Sequence, residues 1–463
     1  MPEHKHWAPD EAARRETAEF SGRTRDMILG DISNDQFRQF RLERGVYGQR
    51  QAGVQMVRIK IPYGGLTPRQ LKRIAEITAR FGHGIAHLTT RQDIQLHYVN
   101  LKDIPAIMTL LAEADITTRE ACGNTVRNVT ACPFAGLCRD EAFDVTPHAH
   151  RTAAHLMRNP STAGMGRKFK ISFSGCDSRC GLIAIHDIGL QAVLRSVNGA
   201  TERGFKVLVG GGLGAAPKAA QVYAEFVPED ELIPLCEAIT RVFFLHGERD
   251  RRMKARMKFL IEDIGVEAFR ELVQTELSAL PRRIPVAALD SITPVASGGN
   301  GSNPTPPSVP DQRWLDTNVY SQRQAGYHAV TVRLILGDIS ATTLAELADL
   351  AAHHATDIRV TPEQNFLLRW IPEAHVAPLY EGLKTLGLSE SGAGRLADIT
   401  ACPGADTCNL GITSSKGLAR QFTSGFEGTL RRFADADIKI KISGCPNSCG
   451  QHHIADIGFY GCS

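Results

Sequence analysis

Residues Val57 to Ile61, VRIKI, alternate apolar and polar side chains with the period of a strand buried on one face. The period then changes in TPRQLKRIAEITARF: Leu71, Ile74, Ile77 and Phe81 recur at helical spacing, with Thr67 placed as N-cap and Pro68 at the first helical position. Ile94, Leu96 and Tyr98 alternate again, and Ile104, Ile107, Leu110 and Leu111 return to the helical period. The same order recurs later in TVRLIL, LAELADLAAHHA, NFLLRWI and VAPLYEGL. Both passages predict small α+β units, each with a ferredoxin-like sheet and each followed by a mixed α/β segment that carries cysteines.

The recurrence extends to identity. VYGQRQAG at Val46 returns as VYSQRQAG at Val319, TACP at Thr130 returns at Thr400, the SGC ending in Cys176 returns ending in Cys445, and HDIG at His186 returns as ADIG at Ala455. Ordered matches of this kind mark an internal duplication. Between the copies, TPVASGGNGSNPTPPSVPDQ from Thr293 is rich in Gly, Ser and Pro and predicts a flexible linker. The chain is therefore expected to divide into an N-terminal extension over 1–40, a ferredoxin-like half-domain over 41–115 and a cysteine-bearing domain over 116–281. A linker over 282–313, a second half-domain over 314–388 and a second cysteine-bearing domain over 389–463 complete it. The first copy runs on well past the shared D-I-G and the second stops soon after it, so the second is expected to be truncated relative to the first.

With 463 residues, 43% of them apolar and 22% charged, the chain can bury two or three globular cores. A formal net charge of +3 gives no electrostatic case for nucleic acid or a membrane surface, and leaves small anions and acidic partners open. Neither a signal-like apolar run near Met1 nor any stretch approaching about 18 apolar residues is present, so a cytoplasmic protein is expected. In a reducing compartment cysteine spacings point to metal or catalysis before disulfides. Eight of the 11 cysteines form two matched sets, each C-x5-C followed by C-x3-C. These are Cys132, Cys138, Cys176 and Cys180, and Cys402, Cys408, Cys445 and Cys449. Four thiolates drawn from two loops suit a 4Fe-4S cluster. Zinc is the rival, since structural zinc pairs usually sit about two to four residues apart, which suits Cys445 and Cys449 but not Cys402 and Cys408. Buried thiols without a ligand are the third reading.

GVYGQRQAG, GGLTPRQL, LTTRQDIQLH, VRNVTACP, GRKFKIS and SGCPNSCG with its D-I-G, taken in order, resemble the siroheme-dependent nitrite and sulfite reductases from about Phe40 to the last residue, apart from the linker. The resemblance implies an α+β fold of two pseudo-symmetric halves. Each half is a ferredoxin-like α/β sandwich half-domain plus a mixed α/β domain for siroheme and the 4Fe-4S cluster. It implies that Cys402, Cys408, Cys445 and Cys449 hold the cluster, that Cys449 also bridges to the siroheme iron, and that Arg91, Arg127, Lys168 and Lys170 hold the substrate anion. The implied activity is the six-electron reduction of sulfite to sulfide or nitrite to ammonia, with electrons from ferredoxin or a flavoprotein. Converging cations would attract the anion, stabilise charge as its oxygens leave and relay protons. Two alternatives share parts of this pattern: a precorrin-3B synthase-like enzyme of the cobalamin pathway, and an iron–sulfur electron carrier without a substrate pocket. The family segment after the last cysteine helps to enclose siroheme, and most of it is missing from this sequence.

Taken alone, K-F-K is the pattern of a solvated strand face. The repeat adds information: TTRQ aligns with TPEQ, so Arg91 corresponds to Glu363, which suits one working anion pocket and one retired. Lys439 and Lys441 in KIKIS are expected to preserve the lysine pair in the second copy. The first-copy cysteines depart from the family pattern, and a second 4Fe-4S cluster is the expectation for them.

Overall fold

The computed structural model describes residues 10–287, 289, 309–429 and 431–463. The first nine residues of the expected N-terminal extension and most of the expected linker over 282–313 lie outside them. From Asp10 onward the extension folds as helices Asp10–Leu29 and Asn34–Glu43. The first ends at Gly30, φ +86°, where Asp31 N–H bonds to Asp26 O at 2.9 Å and Gly30 N–H to Met27 O at 3.2 Å.

The first half-domain builds β1 (Val46–Gly48), β2 (Val54–Ile59), β3 (Gly65–Leu66), β4 (Ile85–Leu88) and β5 (Ile94–Asn100), with helices Pro68–Phe81 and Ile104–Ala112. Its first helix begins at a capping box: Thr67 accepts Gln70 N–H at 3.2 Å while the Gln70 side chain accepts Thr67 N–H at 3.0 Å. Leu71, Ile74 and Ile77 are buried, as are Val57, Ile59, Ile94 and Leu96 on the strands, so the core lies between helices and sheet as the two periods require. The first cysteine-bearing domain carries β6 (Val126–Ala131), β7 (Phe169–Ser174), β8 (Ile188–Val197), β9 (Ala200–Val209) and β10 (Gln221–Pro228). In the second copy β11 (Val319–Ser321), β12 (Tyr327–Val332), β13 (Asp338–Ser340), β14 (Asp357–Val360) and β15 (Phe366–Pro372) pack with helices Ala341–His354 and Val376–Thr385. After them, β16 (Thr400–Ala401), β17 (Ile440–Ser443) and β18 (Ile457–Tyr460) surround helix Ser415–Glu427. TVRLIL does not continue as one strand: β12 stops at Val332, and Ile335–Gly337 forms a tight turn in which Leu336 takes φ +57°.

That turn delivers β13 to the wrong half. The two half-domain sheets run β1-β2-β5-β4-β13 and β11-β12-β15-β14-β3, so each copy lends its short third strand to the edge of the other's sheet. Asp338, Ile339 and Ser340 pair antiparallel with His87, Ala86 and Ile85, and Leu66 and Gly65 pair with Ile358 and Arg359. Gly64 (φ +71°) and Gly337 (φ +70°) make the exchange possible: a Cβ would stand 2.3 Å from Val360 O at the first and 2.9 Å from Leu88 O at the second. Two glutamines cross with the strands, Gln92 Nε2 donating to Val360 O at 3.0 Å and Gln364 Nε2 to Leu88 O at 2.8 Å.

The chain groups into two compact units that cut across the repeat. One comprises Met1–Phe37, Val46–Thr117 and Ser291–Ser463, and so holds both half-domains and the second cysteine-bearing domain. There β16, β17 and β18 form a parallel sheet over a core of Ile399, Ala401, Ile440, Ile442 and Phe426. The other comprises Arg38–Gly45 and Thr118–Asp290. Its sheet, β10-β9-β8-β7-β6, is parallel from β6 to β8 and antiparallel beyond, with a hairpin turning at Asn198 and Gly199, both at positive φ. No helix among the described residues is long and apolar enough to cross a membrane.

Candidate functional site

The second cysteine set hangs from the C-terminal ends of parallel strands. Cys402 follows β16 and extends its ladder by donating N–H to Ile442 O at 3.1 Å, and Cys408 closes a turn onto Gly404 O at 2.9 Å. Cys445 follows β17, and Cys449 leaves the loop through Gly450, whose N–H bonds Ser443 Oγ at 3.0 Å. These loops approach backbone to backbone. A Cβ on Gly404 would meet Ser415 Oγ at 2.3 Å, one on Gly444 would meet Gly404 Cα at 2.6 Å, and one on Gly450 would meet Ile442 O at 2.0 Å.

The sulfurs already sit in a setting for anionic ligands. Cys402 Sγ accepts Gly444 N–H at 3.2 Å and lies 3.4 Å from Ser415 Oγ, while Cys445 Sγ accepts from Asn447 Nδ2 at 3.4 Å. Burial, then the neighbouring Cys449, pushes the Cys402 thiol up to about 11. Burial also raises Cys408, with Cys449 and Cys445 adding to it. Cys402 and Cys408 therefore feel others of the set, and a cationic centre is what would let them ionise. Among the described residues no three or more His, Cys, Asp or Glu side chains converge as they would on one metal ion. Four thiolates on a single zinc, each at about 2.3 Å, would lie within about 4 Å of one another. Four thiolates drawn from two loops suit a four-iron cluster. Cys445 is buried, Cys402 and Cys408 are half-buried and Cys449 is exposed.

Arg91 lies in the same unit. Its turn is organised by Thr89, whose Oγ1 accepts the N–H groups of Arg91 at 3.2 Å and Asp93 at 3.1 Å. The residue next to Arg91 ties the turn to the cysteine loop: Thr90 Oγ1 donates to Cys449 O at 2.8 Å, and Gln451 Nε2 donates to Thr90 O at 3.4 Å. Behind Arg91 the Asp93 carboxyl is raised to about 6, burial outweighing the charges of Arg58 and Arg91.

Arg127, Lys168 and Lys170 belong to the other unit, all half-buried. Val126 pairs with Phe169, so Arg127 on β6 lies beside the K-F-K stretch that leads into β7. The Arg127 guanidinium is braced by its own loop, Nε on Gly123 O at 2.8 Å and Nη1 on Ala121 O at 3.2 Å. Lys170 N–H bonds Asp187 Oδ2 at 2.8 Å, and Arg256 Nη2 holds the same carboxylate at 2.7 Å.

Strand register corrects one expectation about the lysines. Ile171 pairs with Ile188 and Ile440 with Ile457, and Lys439 N–H bonds Asp456 Oδ2 at 2.7 Å just as Lys170 bonds Asp187. Lys439 is thus the counterpart of Lys170, Asp437 that of Lys168, and Lys441 that of Ser172. The pair is not preserved; only one lysine is. Lys439 turns to Asp437 Oδ1 at 3.0 Å and to Gly394 O. Lys441 is buried on Gln451 Oε1 at 3.0 Å, with its pKa lowered by burial while Glu363 and Asp398 favour its charge. Counting back from T-A-C-P places Ala397 opposite Arg127. Counting from S-G-C, instead of matching K-x-K by eye, would have shown this in the sequence.

One group of residues had no sequence signal at all. Asp338, on the exchanged strand β13, takes His87 Nδ1 at 2.8 Å and Lys416 Nζ at 2.6 Å. Burial alone would raise Asp338, but the hydrogen bond from His87 and the charge of Lys416 hold it at about 2. His87 is lowered to about 4 by burial and by Lys416. Gln364 lies 3.2 Å from His87 Nε2 and accepts Ala401 N–H at 2.9 Å, while Ser415, next to Lys416, donates to Cys402 O at 2.6 Å. The exchanged strand is in this way fastened to the loop that carries Cys402.

Comparison with known proteins agrees with the geometry. The nitrite and sulphite reductase 4Fe-4S domain matches residues 122–280 and 392–463, and the nitrite/sulfite reductase ferredoxin-like half domain matches 47–114 and 320–386. Sulfite reductase [ferredoxin] 1 of Mycolicibacterium paratuberculosis is 31% identical over 413 residues, 88% of this chain and 69% of that protein. The assimilatory ferredoxin-dependent nitrite reductase of Haloferax mediterranei is 32% identical over 477 residues, 99% of this chain and 80% of that one. The solved structure of the Mycobacterium tuberculosis NirA protein superposes with a TM-score of 0.78 at 30% identity, covering 92% of this chain and 78% of that chain. These matches favour reduction over the corrin-pathway and electron-carrier alternatives. With both domain types matched twice, in the order in which the fold repeats them, the chain belongs to the nitrite and sulfite reductase family.

Proposed function

We propose that this oxidoreductase reduces sulfite or nitrite by six electrons, with Cys402, Cys408, Cys445 and Cys449 holding a 4Fe-4S cluster and Cys449 also meeting the iron of siroheme. The observation that carries this reading is the Thr90 to Cys449 hydrogen bond, 2.8 Å, which sets Arg91 one residue from a contact with the exposed cysteine. An exposed thiolate has a side available for a second iron, and a neighbouring guanidinium suits an oxyanion or the carboxylates of a macrocycle. When bound, the cluster would pass on electrons received from an external donor, and siroheme would supply the iron that the anion binds.

The chain's own residues would hold and neutralise. By the family resemblance Arg91, Arg127, Lys168 and Lys170 are assigned to the anion, their charge countering the negative charge that grows as oxygens leave. Lys168 and Lys170 are the members able to donate a proton, since a guanidinium keeps its own. Thr89 and Thr90 fix the direction of Arg91 through their hydrogen bonds to its turn and to the cysteine loop. A separate protein would deliver the electrons, and ferredoxin is assigned that part because the similar reductases are named for it.

The test is the visible spectrum of anaerobically purified protein from siroheme-supplied cells, taken before and after adding sulfite or nitrite. A haem-like Soret band and a long-wavelength band that shift with one anion are expected, and the anion that shifts them is the substrate. Haem bands indifferent to both anions would overturn the reading.

A further inference from the structure

We propose that Cys132, Cys138, Cys176 and Cys180 hold a second 4Fe-4S cluster, within the unit formed by Arg38–Gly45 and Thr118–Asp290. Reduction of the anion at siroheme needs only the other set, so this site stands or falls by itself.

The backbone around the two sets is the same at each point where a cluster would depend on it. Cys132 N–H bonds Phe173 O at 3.0 Å as Cys402 bonds Ile442 O at 3.1 Å, and Cys138 N–H bonds Phe134 O at 3.1 Å as Cys408 bonds Gly404 O at 2.9 Å. Ala142 N–H bonds Gly175 O at 2.8 Å as Ile412 bonds Gly444 O at 2.7 Å. Gly181 and Gly450, each following the last cysteine, are shut against the preceding strand, a Cβ meeting Phe173 O at 2.6 Å in one and Ile442 O at 2.0 Å in the other. The next residues, Leu182 and Gln451, both take left-handed φ, +50° and +63°. Even the polar neighbour of the third sulfur has its partner: Ser178 Oγ lies 3.0 Å from Cys176 Sγ where Asn447 serves Cys445.

Three of the four thiols also lie near one another. The Cys132 side chain is within hydrogen-bonding reach of Cys180 and electrostatic reach of Cys176.

Comparison of the copies shows where change was tolerated. Glu363, Ala397 and Asp437 stand where the first copy has Arg91, Arg127 and Lys168, so the second copy lacks that basic set. All eight cysteines and both loop glycines were kept. A set that bound nothing would have had the same freedom to drift. The chain carries only one basic set, so the second cluster is a one-electron carrier without an oxyanion site of its own.

Acid-labile sulfide and iron, counted on the full chain after anaerobic purification, test the site. About eight sulfides per chain are expected, falling to about four in the Cys132→Ser, Cys180→Ser variant and also to about four in Cys402→Ser. The reduced electron paramagnetic resonance signals of those two variants should sum to that of the parent. About four sulfides in the parent would overturn the proposal, even if the variants fail to accumulate. So would a Cys132 to Cys180 disulfide found by mass spectrometry after anaerobic alkylation. Siroheme absorbance is read in the same samples, so loss of the substrate reading and loss of the second cluster give different results.

Discussion

Glu363, Ala397 and Asp437 occupy positions that in the first copy are Arg91, Arg127 and Lys168, and at residue scale this is the firmest guide to where an anion is handled. Arg91→Ala should lower kcat/KM for the anion about 10²- to 10³-fold, as removal of an oxyanion-stabilising donor does, whereas Lys439→Ala should leave it nearly unchanged. Steady-state assays with a chemically reduced dye check both. The buried trio of His87, Asp338 and Lys416 makes a different prediction. Asp338→Ala leaves Lys416 buried without its carboxylate and should cost about 3 kcal/mol, read as a lower urea midpoint. For pH, His87 binds a proton at about 6.5 when unfolded and only near 4 when folded, so the unfolded chain takes up more protons between those values. Stability should therefore be complete above pH 6.5 and decline as pH falls towards 4. His87→Gln should flatten that decline, and urea midpoints followed by tryptophan fluorescence across this range would show it. Asp93, held up at about 6, acts in the opposite sense, giving stability at low pH that is lost as pH rises through its folded value. The four cysteines of each set were legible as candidates because their residue type and spacing carry the chemistry, and Arg91 was legible only through the family resemblance of TTRQ. Thr90 and Asp338 were not, because a hydroxyl or carboxylate that works by touching a residue hundreds of positions away leaves no local pattern.

At the scale of elements, periodicity located the long pieces well. The helix from Thr67 and the strand from Ile94 fall where the hydrophobic spacing placed them, since each buries a continuous face. The exchanged strands escaped notice because Gly65–Leu66 and Asp338–Ser340 are too short to show any period. Their pairing has a mechanical consequence. Cutting the chain at a protease site engineered between Thr293 and Gln312 should leave the fragments associated, because each half-domain sheet is completed by a strand from the other side of the cut. Size-exclusion chromatography of the cut protein without denaturant should give one peak at the mass of the intact chain. Two separate peaks would mean that the exchange contributes little. Gly64→Ala probes the same junction, since a methyl group 2.3 Å from Val360 O, at φ +71°, forces β3 away from β14.

For the whole molecule, composition gave no electrostatic case for a nucleic-acid binder, and the duplication gave the architecture. The compact grouping could not be read from it. The first cysteine-bearing domain forms its own unit while the second belongs with both half-domains, a difference that depends on contacts rather than on sequence order. The exchange of β3 and β13 also says something about ancestry. A lone half-domain would expose the edge of β4 with nothing of its own to cover it, and an uncovered edge recruits the nearest matching strand. The matching strand would be found on a second, identical polypeptide. Joined in one polypeptide, the two half-domains cover each other's edges while their sequences are free to differ, as Arg91 on one side and Glu363 on the other show.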